Sequence, residues 1–422
     1  MAMWVFSLYT MVDGYFVANY VGELEFSAIN IAMPFVNGLF ALAIIFGVGS
    51  STVVGILLGE NKKTEANKIF SSVLLVLIGF SLIITLIFNL FLPQVINFLG
   101  ATESTYEFVK DYLQIILFFG IFFIISYNLE VMVKIDSFPL LATLGVFISG
   151  ITNVILDYIF VARLNWGIKG AAVATGIAQV ISTVLFLYHF ILGNSNLKLV
   201  KTKLNLKIFK RIVPIGLGDF LNEMSTSFII LLFNNFLPSV LGEKSLISYT
   251  VISYVTLFVL ITMSGLTQGM QPIVSYYYGK KEKKSYRKIL MFSALAVGAF
   301  SLLFFIIVNS FTEGIVNIFL SKSEIDILNI TYLGIHKYSY AYLLVGFNLL
   351  IGAFFAAIGQ AKSSIIISIA RGFLFILLSL NFAKSFLASE NIWLAASISE
   401  GFALILSLLL LKYTFNNKKS LS

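Results

Sequence analysis

Two aspartates occur inside segments that are otherwise apolar. Asp157 lies within "NVILDYIFV" and Asp13 within "YTMVDGYFVANYVG". A carboxylate at the centre of a membrane helix costs about 2.5 kcal/mol or more on insertion scales, so it must be offset by pairing, protonation or water. We therefore predict that both acids serve a function that involves a small cation.

Polar neighbours of Asp157 suggest what that cation is. Asn153 and Asp157 are four residues apart and share one face of a helix, and Thr175 lies in the following apolar segment. Together with Asp13 they would form a cluster of oxygen atoms, which suits H⁺ or a hard cation such as Na⁺ and does not suit zinc or copper. Two close carboxylates also resist ionising together. We predict that these four residues bind the coupling ion.

A second pair of acids, Asp219 and Glu223, is also separated by four residues and therefore shares a helix face. With Asn222 nearby, the pair would line a negative pocket for an organic cation. Forty-two Phe, nineteen Tyr and nine Met could supply its adaptable apolar lining. A solvated position for Asp219 near the cytoplasm is the alternative, so Glu223 is the better candidate of the two.

Glu400 is a further acid within a predicted span, and Arg371 is the basic residue that lies deepest inside one. Arg371 could neutralise Glu400 or another of the acids within the spans, and such an ion pair would be a structural explanation, because each charge would offset the burial cost of the other. That explanation competes with a role for Glu400 in transport.

The composition places the chain in the membrane. It is 59% hydrophobic and 11% charged, with a mean hydropathy of +0.96. No cysteine is present, and His189 and His336 are too few for a metal cluster. The net charge of +8 comes from short basic loops, so nucleic acid is not expected as a partner. The stretch "GVGSSTVVG" lacks the Lys of a phosphate-binding loop, and no hydrolase motif occurs, so we expect neither an enzyme nor a cofactor.

The elements that must position these residues are predicted to be helices, since apolar runs long enough to cross a bilayer recur along all 422 residues. The twelve predicted spans are 2–21, 28–58, 69–98, 107–133, 138–162, 168–193, 212–238, 246–278, 289–318, 332–358, 363–388 and 392–412. The first follows Met1 without a cleavable signal pattern, so we expect it to be retained. Most of the 28 Lys and Arg residues fall in alternate loops, which predicts a multi-pass protein of the cell (inner) membrane with both termini in the cytoplasm.

An internal repeat with an offset near 220 residues divides these spans into two sets of six. Matched residues are Gly59 with Gly279, Lys63 with Lys283, and Asn128 with Asn348. We therefore predict an all-α integral membrane protein with twelve transmembrane helices, in two pseudo-symmetric six-helix lobes around a central cavity. The predicted divisions are residues 1–193, a cytoplasmic linker at 194–211, and residues 212–422.

Several stretches resemble the multidrug and toxic compound extrusion (MATE) family, and the matches extend over both halves of the chain. The stretches are "VDGYFVANYVG", "NVILDYIFV", "WGIKGAAVATGIAQ", "GLTQGMQPIVSYYYGKK" and "FFAAIGQAKSS". The resemblance implies alternating access and export of cationic or lipophilic compounds, driven by H⁺ or Na⁺. It assigns the first-helix acid to Asp13, the fifth-helix pair to Asn153 and Asp157, the sixth-helix hydroxyl to Thr175, and the seventh-helix acid to Glu223.

The sequence departs from the family pattern at three places. Twelve residues precede Asp13, about 18 Å of helix at 1.5 Å per residue, which leaves a late start or a shortened chain as an open explanation. The segment "AYLLVGFNLLIGAFFAAIG" lacks an acid that some relatives carry, which favours the cluster in the first half as the ion site. The loop "VKIDSFP" lacks a Gly common in the family.

Two other functions compete with ion-driven export. A lipid-linked oligosaccharide flippase or polysaccharide exporter of a related fold needs Arg and Lys in its cavity to hold diphosphate, and only Arg371 lies deep within a predicted span. A membrane enzyme or receptor is disfavoured by the absence of a catalytic motif. We expect small-molecule substrates and the lipid bilayer as partners, and function as a single chain.

Overall fold

A computed structural model describes residues 4–5, 12–13, 15–17, 19–203, 206–320 and 325–416. Within these ranges the chain forms helices and connecting turns, without a β-strand. It divides into two compact units, Met1–Gly216 and Leu217–Ser422. The all-helical fold predicted from the apolar runs is confirmed.

Helical residues among positions 12–20 precede the first complete helix of unit 1. The helices that follow are α1 (Glu23–Gly59), α2 (Lys63–Leu90), α3 (Leu92–Phe98), α4 (Tyr106–Phe118), α5 (Gly120–Ile135), α6 (Pro139–Asp157) and α7 (Gly167–Leu192). A π-helical segment, Tyr158–Arg163, continues α6. Helix α8 (Phe209–Leu241) contains the boundary between the units.

Unit 2 follows the same order of long and short helices. They are α9 (Ser245–Gly279), α10 (Lys283–Ser310), α11 (Thr312–Leu320), α12 (Ile325–Tyr338), α13 (Tyr342–Ala357), α14 (Ala361–Ile369), α15 (Ile376–Phe386) and α16 (Ala395–Asn416). A π-helical segment, Ala370–Phe375, joins α14 to α15. The fifth membrane-spanning segment of each half therefore contains a π turn.

Ten helical segments in the described ranges are long and apolar enough to cross a membrane. The number is eleven if α4 and α5, which meet at an angle of 51°, form one bent span. Half of the first predicted span, 2–21, falls outside the described residues. The predicted count and the observed segments agree over the rest of the chain, so the chain is a multi-pass membrane protein.

Two predicted spans, 69–98 and 289–318, are each broken in the structure. Helix α2 ends at Leu90 and α3 begins again at Leu92, with Pro93 in its first turn, where the missing N–H of proline costs no hydrogen bond. The second break falls at Phe311, between α10 and α11. Both spans also begin six residues earlier than predicted, because Lys63 and Lys283 lie in the first turn of their helices rather than in loops.

Corresponding turns of the two units have the same backbone conformation. Asn61 and Lys281, 220 residues apart, have φ angles of 60° and 59°, and the N–H groups around them bond carbonyls at the same spacings. Ser137 and Gly359 both have a φ of 74° and end α5 and α13 with the same hydrogen-bond pattern. Left-handed backbone is rare outside glycine, so its recurrence at matched positions supports an internal duplication.

Each unit has its own apolar core. Tyr112, Leu113 and Phe123 are among the buried side chains of unit 1, and Phe354 and Trp393 among those of unit 2. In unit 1, α1 packs closely along α5, and in unit 2 the equivalent helices α9 and α13 pack in the same way. The buried Asn of each pair, Asn128 or Asn348, lies on these central helices.

The start of α8 approaches α1 closely at a glycine. A Cβ atom at Gly49 would collide with the backbone carbonyl of Ile212, and one at Gly216 would collide with the carbonyl of Ile45. Small residues that let two helix backbones touch are typical of membrane proteins. Gly49 is thus required for the close approach of these two helices in unit 1.

Residues 195–200, here called the strap, are fastened to unit 1 by a buried aspartate. The Asp136 carboxylate accepts hydrogen bonds from Ser195 Oγ (2.9 Å) and from the backbone N–H of Asn196 (3.2 Å) and Leu197 (2.7 Å). His189 Nε2 lies 2.8 Å from the same carboxylate. Both carboxylate oxygens are therefore satisfied, which offsets the cost of burying them.

The rest of the strap is held by the first turns of α2. Asn67 Oδ1 accepts a hydrogen bond from the N–H of Lys198 (3.0 Å), and Ser71 Oγ accepts one from the N–H of Val200 (2.9 Å). Backbone that lies outside helices at the membrane surface still needs partners for its N–H groups. Polar residues at the start of α2 supply them.

Candidate functional site

The carboxylates of Asp13 and Asp157 lie next to each other in unit 1, within hydrogen-bonding reach when one of them holds a proton. Asp13 is 4% exposed and Asp157 is fully buried. Asp13 Oδ1 and both carboxylate oxygens of Asp157 accept no hydrogen bond from the described residues. The proximity expected from the sequence is therefore observed, and these three oxygen atoms have no donor among the described residues.

Asn153 and Thr175, the other two residues of the predicted ion site, are hydrogen-bonded to each other. Asn153 Nδ2 donates to Thr175 Oγ1 at 3.3 Å, and Thr175 Oγ1 donates to the carbonyl of Ala171 at 3.0 Å. Asn153 Oδ1 is buried and accepts no hydrogen bond within the part of the chain that the structure describes. Its amide orientation leaves this oxygen without a donor, on a residue one helical turn before Asp157.

Close packing of α6 against α7 positions these groups. Ser149 Oγ donates to the carbonyl of Ala178 at 2.8 Å, across the contact between the two helices. Asn153 and Asp157 follow Ser149 at intervals of four residues, so all three lie on the face that meets α7. Asp157 is the last residue of α6 before the π turn. Such turns recur at functional sites in helices.

The acids predicted to bind substrate lie in α8. The half-buried Asp219 accepts a hydrogen bond from Gln271 Nε2 at 3.2 Å, and the Glu223 carboxylate lies close enough to repel it. Asn222 Oδ1 is buried without a hydrogen-bond partner among the described residues. Asp219 and Glu223 thus share one face, as the spacing predicts, and Glu223 is exposed at the surface of the unit.

The ion pair between Arg371 and Glu400 that the sequence suggested is present in unit 2. Arg371 Nε donates to Glu400 Oε1 at 2.8 Å and to Oε2 at 3.1 Å. Asn348 Nδ2 donates to Oε2 at 2.7 Å, and Ser407 Oγ donates to Asn348 Oδ1 at 3.1 Å. Arg371 is 3% exposed and Glu400 is 7% exposed. The pair is therefore buried, and its carboxylate is saturated with donors.

Sequence reasoning missed the hydrogen-bonded pair of Asp136 and His189. Asp136 follows α5 in the loop "VKIDSFP", and nothing in the sequence indicates that an acid in this loop is buried. The later stretch "GNSN" supplies short polar groups, but its distance in sequence hides the contact. Only the tertiary structure brings these residues together.

Comparisons with known proteins agree with this architecture. The family model described as MatE matches residues 1–159 and 220–382. The multidrug export protein MepA of Staphylococcus aureus (strain MSSA476) is 26% identical over 377 residues, covering 88% of this chain and 82% of MepA. MepA of Staphylococcus haemolyticus is 27% identical over 378 residues, with the same coverage.

Solved transporter structures share the fold. An outward-facing multidrug resistance MATE family transporter of the MOP superfamily superposes with a TM-score of 0.92 at 19% identity, covering 98% of this chain and 93% of that one. A MOP superfamily transporter from Pyrococcus furiosus gives a TM-score of 0.91 at 20% identity, with the same coverage. The family model covers most of both halves of the sequence, so this chain belongs to the MatE family.

Proposed function

We propose that this chain is a secondary active multidrug exporter, which takes up H⁺ or Na⁺ and releases cationic or lipophilic compounds by alternating access. In this proposal Asp13, Asn153, Asp157 and Thr175 bind the coupling ion. Asp219, Asn222 and Glu223 attract the substrate. The protein works as a single chain in the cell membrane, with both termini in the cytoplasm.

One observation carries the proposal: three of the four oxygen atoms of two adjacent buried carboxylates accept no hydrogen bond from the described residues. Burying one uncompensated charge costs several kcal/mol, and a second charge beside it adds repulsion. A bound cation removes both penalties at once. The free energy of unit 1 thus depends on ion occupancy, which is what coupling requires.

The donor atoms fit either ion. A proton shared between Asp13 and Asp157 would satisfy both carboxylates, while Asn153 Oδ1 and Thr175 Oγ1 would complete an oxygen shell for Na⁺. When bound, Na⁺ would supply positive charge and no redox or Lewis-acid chemistry. In the described residues, no group of three His, Cys, Asp or Glu side chains offers an alternative metal site.

Transport by the purified full-length chain in lipid vesicles tests the function. A fluorescent organic cation serves as substrate, and gradients of H⁺ and of Na⁺ are imposed separately. We expect one gradient to drive transport in the wild type, and expect Asp13→Asn and Asp157→Asn to abolish that response. Undiminished gradient-driven transport by both variants would exclude the ion-binding role.

Asp111→Asn is the matched control. Its carboxylate is partly exposed and pairs with Lys169 at 3.2 Å in the same unit, so it also loses one negative charge. A surface pair of this kind contributes about 1 kcal/mol or less. The control should transport like the wild type.

A further inference from the structure

Unit 2 contains a cavity of about 270 Å³ that the ion-coupling proposal does not use. Helices α8, α9, α12, α13, α15 and α16, with the π turn between α14 and α15, line it. Small-molecule sites commonly measure about 300–1,000 Å³, so this cavity is close to the lower limit for an organic ligand. Its lining includes the exposed Tyr254 and Leu257, here called the mouth, and the buried Arg371 and Glu400, here called the floor.

The floor carries a guanidinium group whose donors are only partly used. Arg371 gives its Nε–H to Glu400, and its terminal nitrogens donate no hydrogen bond to any residue that the structure describes. The side chain is 3% exposed yet lines the cavity. The terminal N–H groups thus have no acceptor among the described residues, and the fork that they form matches a carboxylate.

Glu400 does not offer the complementary site for a cation. Its two oxygens already accept from Arg371 Nε and Asn348 Nδ2, and the guanidinium neutralises its charge. An incoming ammonium group would meet Arg371 beside that carboxylate. The groups on the floor that remain available to a ligand are therefore the hydrogen-bond donors of Arg371.

Hydroxyl and apolar groups define the rest of the ligand. Thr256 Oγ1 and Tyr342 Oη are hydrogen-bonded at 2.9 Å beside the floor, and Tyr249 and Tyr338 add aromatic walls. Apolar side chains of α8 and α9 line the path to the mouth. This combination suits a flat apolar body with one anionic end.

We propose that this cavity binds an amphipathic monocarboxylate, whose carboxylate accepts hydrogen bonds from the terminal nitrogens of Arg371 and whose apolar body contacts Tyr249 and Tyr338. The ligand class differs from the organic cations assigned to Asp219 and Glu223. Binding here needs no ion gradient, so it can be measured whether or not the chain couples transport to an ion.

Three probes of one shape test the charge preference. Titration calorimetry on the full-length chain in nanodiscs compares 1-naphthoate, 1-naphthamide and 1-naphthylmethylammonium, without any gradient. We expect 1-naphthoate to bind at least about tenfold more tightly than the amide, as charged hydrogen bonds are stronger than neutral ones. Equal affinities, or tightest binding of the ammonium, would overturn the proposal.

Two variants test the role of the charge and the role of the cavity separately. The double variant Arg371→Gln/Glu400→Gln removes both charges together, because Arg371→Gln alone would leave an unpaired buried carboxylate. It should lose the tenfold preference for the carboxylate, and a retained preference would contradict the role of Arg371. Thermal unfolding of the variant checks that it is folded.

Ser253→Trp provides a test that leaves the ion pair intact. Ser253 lines the cavity and uses its hydroxyl only for the carbonyl of Thr250, so an indole there should fill the cavity. Binding of 1-naphthoate should weaken at least about tenfold. Unchanged affinity would place the ligand elsewhere, and Asp111→Asn serves as the unaltered control.

Discussion

Two buried aspartates of unit 1 have opposite surroundings. Asp136 accepts hydrogen bonds at both oxygens from the strap and lies against His189, whereas neither oxygen of Asp157 accepts one from the described residues. Both side chains are about 1% exposed or less. Hydrogen bonds therefore stabilise the buried carboxylate of Asp136, whereas burial of the Asp157 carboxylate destabilises the fold. Their substitution by Asn should therefore change stability in opposite directions.

Asp136→Asn should lower the free energy of unfolding by about 3 kcal/mol, since it removes the charge that compensates several buried donors. Thermal unfolding of the purified chain in detergent measures the loss. Glu107→Gln, which removes an exposed acid paired with Lys110, is the control and should unfold like the wild type. A change of less than about 0.5 kcal/mol for Asp136→Asn would contradict the anchoring role.

Asp157→Asn should instead raise the free energy of unfolding by about 1 kcal/mol in buffer without Na⁺, because it removes an uncompensated charge from beside Asp13. The same thermal assay applies. A loss of stability as large as that of Asp136→Asn would mean that Asp157 has structural partners, and would argue against a site held open for an ion.

Pairs of interacting residues could be predicted from the sequence where a charged side chain occurs inside an apolar segment. Asp13 and Asp157 stood out because a charge in an apolar segment needs an explanation, and the structure brings them together as expected. Arg371 and Glu400 were paired for the same reason. Asp136 gave no such signal, because an acid in a loop is ordinary. The ion-binding and substrate-binding roles themselves stay predictions.

Among the secondary-structure elements, the turn that ends α5 has a strained backbone conformation that a glycine would relieve. Ser137 has a φ of 74°, and the matching position in unit 2 is Gly359 with the same angle. This turn lies in the stretch "VKIDSFP", whose lack of a family glycine was apparent from sequence. A side chain in left-handed backbone costs about 1–2 kcal/mol, and glycine avoids that cost.

Ser137→Gly should raise the midpoint of thermal unfolding, with a gain of about 0.5–1 kcal/mol after the extra entropy of glycine in the unfolded chain is subtracted. Gly359→Ser, the reciprocal change in unit 2, should lower stability by a similar amount. If both variants behave like the wild type, the backbone at these turns is not strained.

Helix existence was predictable from hydropathy, but helix shape was not. The break between α2 and α3 and the two π turns fall inside apolar runs, where hydropathy does not change. Pro93 was a visible signal for the first break. A π turn depends on one extra residue that tertiary packing accommodates, so no local pattern indicates it.

For the whole molecule, the absence of cysteine makes orientation directly testable. Single cysteines at Glu60 and Glu282 should be shielded from a membrane-impermeant maleimide in intact cells, because both exposed turns lie on the predicted cytoplasmic side. Cysteines at Glu103 and Glu243 should react. Permeabilised cells, in which all four should be labelled, are the control. The reverse pattern would invert the predicted topology.

The division of the chain into halves was also visible in the sequence, as a repeat with an offset near 220 residues. The structure shows that matched turns keep the same backbone conformation even where their side chains differ. Asn61 and Lys281 have different side chains and the same left-handed backbone. The predicted boundaries at 193 and 211 stay a prediction. Remote relatives agree in fold because such geometry tolerates exchange of side chains.

The strap determines where foreign sequence can be introduced between α7 and α8. Three successive residues from Ser195 to Leu197 bind Asp136, and Lys198 and Val200 are held by α2, whereas Lys201 and Lys203 are exposed. An epitope tag placed after Lys201 would therefore extend a free surface, but the same tag after Asn196 would unfasten backbone from its buried anchor. The polar segment between α7 and α8 is therefore suitable for a tag after Lys201 and unsuitable for one within the strap.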